Sequence, residues 1–167
     1  MDPSGDRALP AHDAEAVVGG LLDRHEVIDA LYRFGLGLDL RDRALLVSAL
    51  AADAELDPRP AAARWGAYGP LMVGRDTIVN LLLGLFLGFA DTTHAVTNPR
   101  VDVDGDTAGL TAIVQARYLL KAVPGEHVLL TSRFTAALVR DGEGWVMRHI
   151  RIETAWYTGD PAAVFCR

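Results

Sequence analysis

Apolar positions in the first quarter of the chain recur at helical spacing. From Ala14 to Leu38 the pattern is that of a helix: Leu31, Tyr32, Gly35 and Asp39 stand 3, 4, 7 and 11 positions after Ile28 and so share one face. Gly19-Gly20 is a candidate break into two helices. Asp42 is a good N-cap for a second helix, Arg43 to Ala51. Asp53 to Asp57 reads as a short strand ended by Pro58 and Pro60, and residues 58–70 as a loop carrying Trp65 and Tyr68. A third helix is expected over Arg75 to Gly88. The most apolar run, Ile78 to Ala90, lies between Asp76 and Asp91. It falls short of the roughly 20 residues a bilayer span needs, so it reads as a buried helix and no membrane is expected as partner.

The period then changes from helical to alternating. Thr92–Asp104, Thr107–Val123, Glu126–Arg140 and Trp145–Thr158 read as strands, separated by Asp104-Gly105-Asp106, Pro124-Gly125 and Asp141-Gly142-Glu143-Gly144. Such short connections make antiparallel hairpins. Helices followed by a long meander predict an α+β fold, a curved antiparallel sheet wrapped around N-terminal helices. Residues 1–13, acidic and punctuated by proline, read as a flexible leader, and 14–167 as a single domain.

Composition narrows the function classes. Of 167 residues, 50% are apolar and 23% charged, enough for one real core. Sixteen scattered Lys and Arg against 22 Asp and Glu, for a net charge of -6, argue against nucleic acid as a partner. The single cysteine, Cys166, makes no intrachain disulfide, which fits a cytoplasmic setting. The N-terminus lacks the basic and apolar regions of a signal peptide. The five histidines, at 12, 25, 94, 127 and 149, have no paired metal-ligand spacing, so no metal is expected. Dinucleotide, P-loop and nucleophile-elbow motifs do not occur.

Two residues stand out chemically. Asp39 puts a carboxylate on an apolar helix face, which is costly unless it is paired, functional or simply ends the helix. His94 opens the first long strand, where alternation places His94, Val96 and Asn98 on one face. Imidazole can take and return a proton near neutral pH; the alternative is a core histidine satisfied by hydrogen bonds. Trp65, Tyr68, Phe86, Phe89, Tyr118 and Trp156 could wall an apolar pocket or fill a core. On the last strand, Met147, His149, Arg151 and Glu153 share one face, a solvated or dimer face. Val146, Arg148, Ile150, Ile152, Thr154 and Trp156 share the other, the better core candidate.

The strings LYRFGLGLDLRD (31–42), LAADAELD (50–57), TTHAVTNPRVDVDGDTA (92–108) and DGEGWVMRHIRIE (141–153), in this order, resemble the SnoaL-like branch of the nuclear-transport-factor-2-like superfamily over about residues 22–160. The resemblance implies a cone-shaped α+β fold, a homodimer, and a deep apolar pocket for a hydrophobic small molecule. It also implies catalysis without metal or organic cofactor, as in dehydratases, ketosteroid isomerases and polyketide cyclases. In dehydratase-like members an Asp three residues before another Asp lines the pocket, a spacing that Asp39 and Asp42 match, and the resemblance places His94 at their catalytic His. A Tyr five residues before that Asp is here Phe34, with Tyr32 as the nearby substitute. The next strand offers only Gln115 in Ala112–Ala116, where a second His or Asp is found. Asp57, before Pro58, matches the general-base context of isomerases, whose oxyanion groups fall near Phe34 and Ser132. The expected pocket is thus Phe34, Trp65, Tyr68, Phe86, Asn98, Gln115, Tyr118 and Trp156, with Asp39, His94, Tyr32 and Asp57 as catalytic candidates. Two functions follow: a cofactor-independent acid/base enzyme (dehydratase, cyclase or isomerase of secondary metabolism), or a binding or dimerising module of the same fold.

Overall fold

The computed structural model describes residues 11–121, 125–142 and 144–165. Cys166 and positions 1–10 of the expected leader lie outside them; 11–13 belong to the first helix. That helix, α1 (Ala11–Leu40), runs unbroken through Gly19-Gly20. Each glycine costs up to about 1 kcal/mol of helix propensity, but without a proline every N–H donor is kept. There follow α2 (Arg43–Ala49), β1 (Leu50–Asp57), α3 (Arg59–Ala63), β2 (Met72–Val73), α4 (Arg75–Phe86), β3 (Phe89–Asp104), β4 (Thr107–Leu120), β5 (His127–Asp141), β6 (Gly144–Thr158) and α5 (Pro161–Phe165). The segment expected as a loop over 58–70 thus contains α3, which Pro58 and Pro60 start rather than prevent. Among the described residues no helix is long and apolar enough to cross a membrane.

The six strands form one sheet in the order β2-β1-β6-β5-β4-β3. The β3–β6 meander is antiparallel, as its short turns require. β1 departs from the expected antiparallel sheet: it lies parallel to β6. Nearly ninety residues separate the two strands, so turn chemistry placed no constraint on their direction. Across that pairing Arg148 meets Asp53 at 2.6 Å and His149 meets Glu55 at 3.4 Å. Such exposed pairs are each worth about 0–1 kcal/mol.

Bulges interrupt the alternation, and three of them decide which of the expected side chains face inward. In β3, Asn98 and Pro99 stand where β4 has one residue, and Asn98 adopts φ 53°. The inward set moves from Thr92, His94 and Val96 to Val101 and Val103, and Asn98 is turned out to solvent. In β6, Arg148 and Ala155 are each an extra residue against β5. The first places Met147 in the core together with Ile150, against the simple alternation. The second turns Trp156 outward, leaving it 47% exposed. Bulges of this kind bend and twist the sheet.

α1 crosses the concave side of the sheet and buries Val27, Ala30, Leu31, Phe34 and Leu38. This stripe lies one position earlier than the face expected from Ile28. Polar clamps fix the helix along its length. Arg33 donates to the Ser48 and Trp145 carbonyls and pairs with Asp29. Asp23 accepts from Trp145 Nε1 at 3.1 Å and Arg140 at 2.9 Å, and Arg140 lies 4.6 Å over the Trp145 ring. At its C-terminus, Asp42 N–H donates to Gly37 O and Arg41 N–H to Leu38 O, with Arg41 in the left-handed region at φ 55°. That is a Schellman ending with arginine in the usual glycine place. Asp42 then caps α2, accepting from Leu45 N–H at 3.0 Å.

A Cβ on Gly37 would stand 2.8 Å from Leu46 Cγ and 3.0 Å from its backbone nitrogen, so α1 and α2 can touch only at glycine. Gly37→Ala should destabilise the protein by about 1–3 kcal/mol. Gly19→Ala, which meets open space, should stabilise it by about 0.5–1 kcal/mol. Urea unfolding of the two variants checks both signs.

Candidate active site

The Schellman turn leaves Asp39 in the last turn of α1, one residue before its end, on the flank that faces the start of β3. Gly35 stands one turn earlier on that flank, and a Cβ there would lie only 3.2 Å from His94 Cβ. Its absence lets strand and helix approach. Thr92 and His94, two residues apart, both point inward from β3. Asp39 collects three donors from this one segment. His94 Nδ1 lies 2.6 Å from Asp39 Oδ1, the His94 backbone N–H donates to Oδ2 at 2.8 Å, and the Thr92 hydroxyl donates to Oδ1 at 2.9 Å. Phe86 of α4 stacks on the imidazole at 5.9 Å with an interplanar angle of 22°. Tyr118 of β4 meets it edge-on, its hydroxyl 3.5 Å from Nε2.

The electrostatics follow from this geometry. Burial pushes the Asp39 carboxyl up. The His94 hydrogen bond and charge, the His94 N–H and the Thr92 hydroxyl outweigh it and hold the group below the usual range. Asp39 is therefore an acceptor at neutral pH. A neutral His94 must then carry its proton on Nδ1, leaving Nε2 with a lone pair. Burial, and secondarily the Asp39 charge, push Tyr118 well above an ordinary phenol, so it remains an O–H donor.

His94 and Tyr118 line a cavity of about 240 Å³ between the helices and the sheet. Phe34, Trp65, Tyr68 and Phe86, all expected in a pocket, line it as well. Trp65 stacks on Phe165 of α5, and its buried Nε1 has no partner among the described residues. Tyr68, 91% exposed, stands at the entrance.

The structure does not bring the other candidates there. Tyr32 sits beside the buried stripe of α1 and is 44% exposed. Asn98 and Trp156 are turned away by bulges, and Gln115 points to the opposite face from its neighbours Val114 and Ala116. Asp57 ends β1 outside the cavity, held by the Arg59 guanidinium at 2.7 and 3.0 Å and by its N–H at 3.1 Å. The Arg59 hydrogen bond keeps its carboxyl below the usual range. Sequence reasoning missed Thr92 as a partner of Asp39, although its two-residue spacing from His94 is the signal that places both on one face. It put Thr154 on the core face of the last strand and an isomerase oxyanion position near Ser132, but did not foresee that their hydroxyls meet, at 3.0 Å, in the cavity wall. Among the described residues no three His, Cys, Asp or Glu side chains come together as a metal-ligand set.

A SnoaL-like domain model matches residues 20–151. The chain belongs to the SnoaL-like family. A protein of Penicillium crustosum, terrestric acid biosynthesis cluster protein E, is 32% identical over 162 residues, covering 92% of this chain and 94% of its own. A solved structure from Kribbella flavida superposes with a TM-score of 0.77 at 22% identity, covering 86% of this chain and 98% of its own. A hexachlorocyclohexane dehydrochlorinase of Novosphingobium barchaimii gives 0.70 at 20% identity, with 84% and 92% covered. A scytalone-dehydratase-like protein of Novosphingobium aromaticivorans gives 0.72 at 18%, with 83% and 88% covered. These structures share the fold.

Two outcomes follow from the Asp39 environment. Thr92→Val removes one of the interactions holding the carboxyl down, so its midpoint in a ¹³C NMR titration should rise, and Thr92→Ser should restore it. Because Asp39 is lowered in the folded state, it contributes stability above the ordinary Asp range, and this is lost as pH falls through the lowered native value. The unfolding free-energy gap between wild type and Asp39→Asn should be open at neutral pH and close in acid, as read by urea unfolding at stepped pH.

Proposed function

We propose that the protein is a cofactor-independent acid/base enzyme of secondary metabolism acting on an apolar, oxygenated small molecule, with elimination of water as its best-supported reaction. The observation that carries this reading is the Asp39–His94 contact, which turns the imidazole Nε2 toward an apolar cavity beside a neutral phenol. The dehydratase-like and dehydrochlorinase structures that share the fold, and the relative from a biosynthesis cluster, support the same class.

In this reading the cavity holds a β-hydroxy ketone with its α-carbon at His94 Nε2. Nε2 takes the α-proton, and the C–H electron pair moves into the ring or chain as an enolate. Tyr118 O–H donates to the enolate oxygen, the charge-developing atom. Asp39 stabilises the imidazolium without taking its proton. The enolate then collapses, the β-carbon–oxygen bond breaks, and His94 Nε2–H returns its proton to the leaving hydroxyl. The products are an unsaturated ketone and water, and the enzyme is restored.

A second reading is cyclisation or isomerisation. It is favoured by the cavity's short roster of titratable side chains: His94, Tyr118 and Tyr68 alone among the described lining residues. A reaction without a departing hydroxide needs no second acid.

Incubation with a panel of β-hydroxy ketones, read by mass spectrometry, separates the readings. Loss of water supports elimination, and a product of unchanged mass supports cyclisation or isomerisation. His94→Ala and Asp39→Asn should each lower kcat/KM by about 10²–10⁴-fold. Full activity in both variants contradicts the acid/base role. Tight binding without conversion would make the protein a binding module.

A further inference from the structure

We infer that the outer face of α1 binds the same face of a second copy of this chain, the two helices lying antiparallel about a twofold axis at position 27. The surface lies away from the cavity, and the inference does not rest on the reaction proposed above.

α1 is apolar on two sides. Val27, Ala30, Leu31, Phe34 and Leu38 are buried beneath it. At roughly 100° per residue, Val18, Leu22, His25, Asp29, Tyr32 and Leu36 fall in a stripe about 80° wide, centred on the opposite side of the helix. The four apolar members are 44–56% exposed. A helix that turns one face to its own core normally carries polar residues on the other. Single exposed apolar residues are common, but a row of them along one face marks a contact surface.

The start of the helix needs such a contact as well. From Asp13 to Leu22 every residue but Ala14 is exposed. A Cβ added at Gly19 or Gly20 would meet nothing within 4 Å. A short helical arm containing two glycines is marginal in water and draws its stability from packing.

The order of the stripe indicates what covers it. Its successive gaps are 4, 3, 4, 3 and 4 residues, the spacing of a coiled-coil seam, and they read the same in both directions. So does the chemistry: two apolar residues, a histidine, an aspartate, two apolar residues. An isologous contact requires that if residue i meets j, then j meets i. In an antiparallel pair centred on position 27, Val18 meets Leu36, Leu22 meets Tyr32 and His25 meets Asp29, each of them twice. Beyond these, Leu40 comes opposite Ala14. A parallel pair would instead set Asp29 against Asp29. The polar centre also counts against an apolar cover such as lipid.

That centre has capacity to spare. Asp29 Oδ2 accepts from Arg33 Nε at 2.7 Å, and its Oδ1 has no hydrogen bond among the described residues. The other Arg33 nitrogens are turned to Ser48 and Trp145 of their own chain. The His25 imidazole is exposed and has no partner among the described residues, so a ring N–H can donate to Asp29 across the axis. Leu36 and Leu40 flank Asp39 in sequence, so the second helix would brace the end of α1 that carries the carboxylate.

Sedimentation equilibrium on the whole chain tests this, with cross-linking to read the register. At about 100 µM the wild type should be largely dimeric. Leu36→Glu and His25→Glu should each raise the dimer dissociation constant at least about tenfold, because each change counts twice at a twofold contact. His25→Arg, of opposite sign at the same exposed position, should keep the dimer. In a Cys166→Ser background, a short bismaleimide should join Val18→Cys to Leu36→Cys in a mixture of the two. It should join neither variant to itself, since like positions lie about 27 Å apart along the antiparallel pair. A monomeric wild type, a dimer indifferent to Leu36→Glu and His25→Glu, as association through the sheet would give, or cross-linking within a single variant overturns the inference.

Discussion

The contact between Asp39, in the last turn of α1, and Thr92 and His94 of β3 is the constraint on which the site depends. A carboxylate at a helix C-terminus faces carbonyl dipoles and an apolar wall, both unfavourable to its charge. Here Thr92 and His94 supply three donors from one stretch of strand, and these outweigh the burial cost. The same three contacts fix the helix end against the sheet, orient the imidazole and assign its proton. Fold and chemistry therefore share one set of bonds.

Much of the remaining architecture holds those two segments at that separation. Gly35 removes the side chain that would part α1 from His94. Asp23 and Arg33 clamp the helix to the far strands through Trp145, so its C-terminal end arrives at a set height over β3. Phe86 closes over the imidazole from α4. What is left open is an apolar cavity with hydroxyl groups at two points and no formal charge on its lining beyond the dyad's own. In such a place a proton transfer is governed by few groups, each held by packing.

The sequence disclosed the helix–meander order because the hydrophobic period changes sharply after residue 90. It disclosed Asp39 and His94 because a polar residue on an apolar face is informative, and the family resemblance placed both at a pocket. It did not disclose the bulges. Asn98 and Trp156 followed strict alternation on paper. An extra residue at Asn98-Pro99 or Ala155 inverts every side chain beyond it, and only pairing with the neighbouring strand reveals it. Tyr32 was misplaced because the buried stripe of α1 is set by how the helix lies on the sheet, one position from the face chosen by spacing. Gln115 was expected in the pocket by resemblance. Its own strand contradicted that, since Val114 and Ala116 flank it on the apolar face. Asp57 carried a suggestive Asp-Pro context, but the arginine two residues on engages it.

The central claim concerns which nitrogen of His94 carries the proton and what holds it there. Long-range ¹⁵N–¹H correlation NMR on the uniformly labelled protein at neutral to mildly alkaline pH reads this directly. The account predicts a His94 ring protonated on Nδ1 with a lone pair on Nε2, and loss of that preference in Asp39→Asn. A His94 ring protonated on Nε2, or one whose tautomer is indifferent to Asp39, would contradict it.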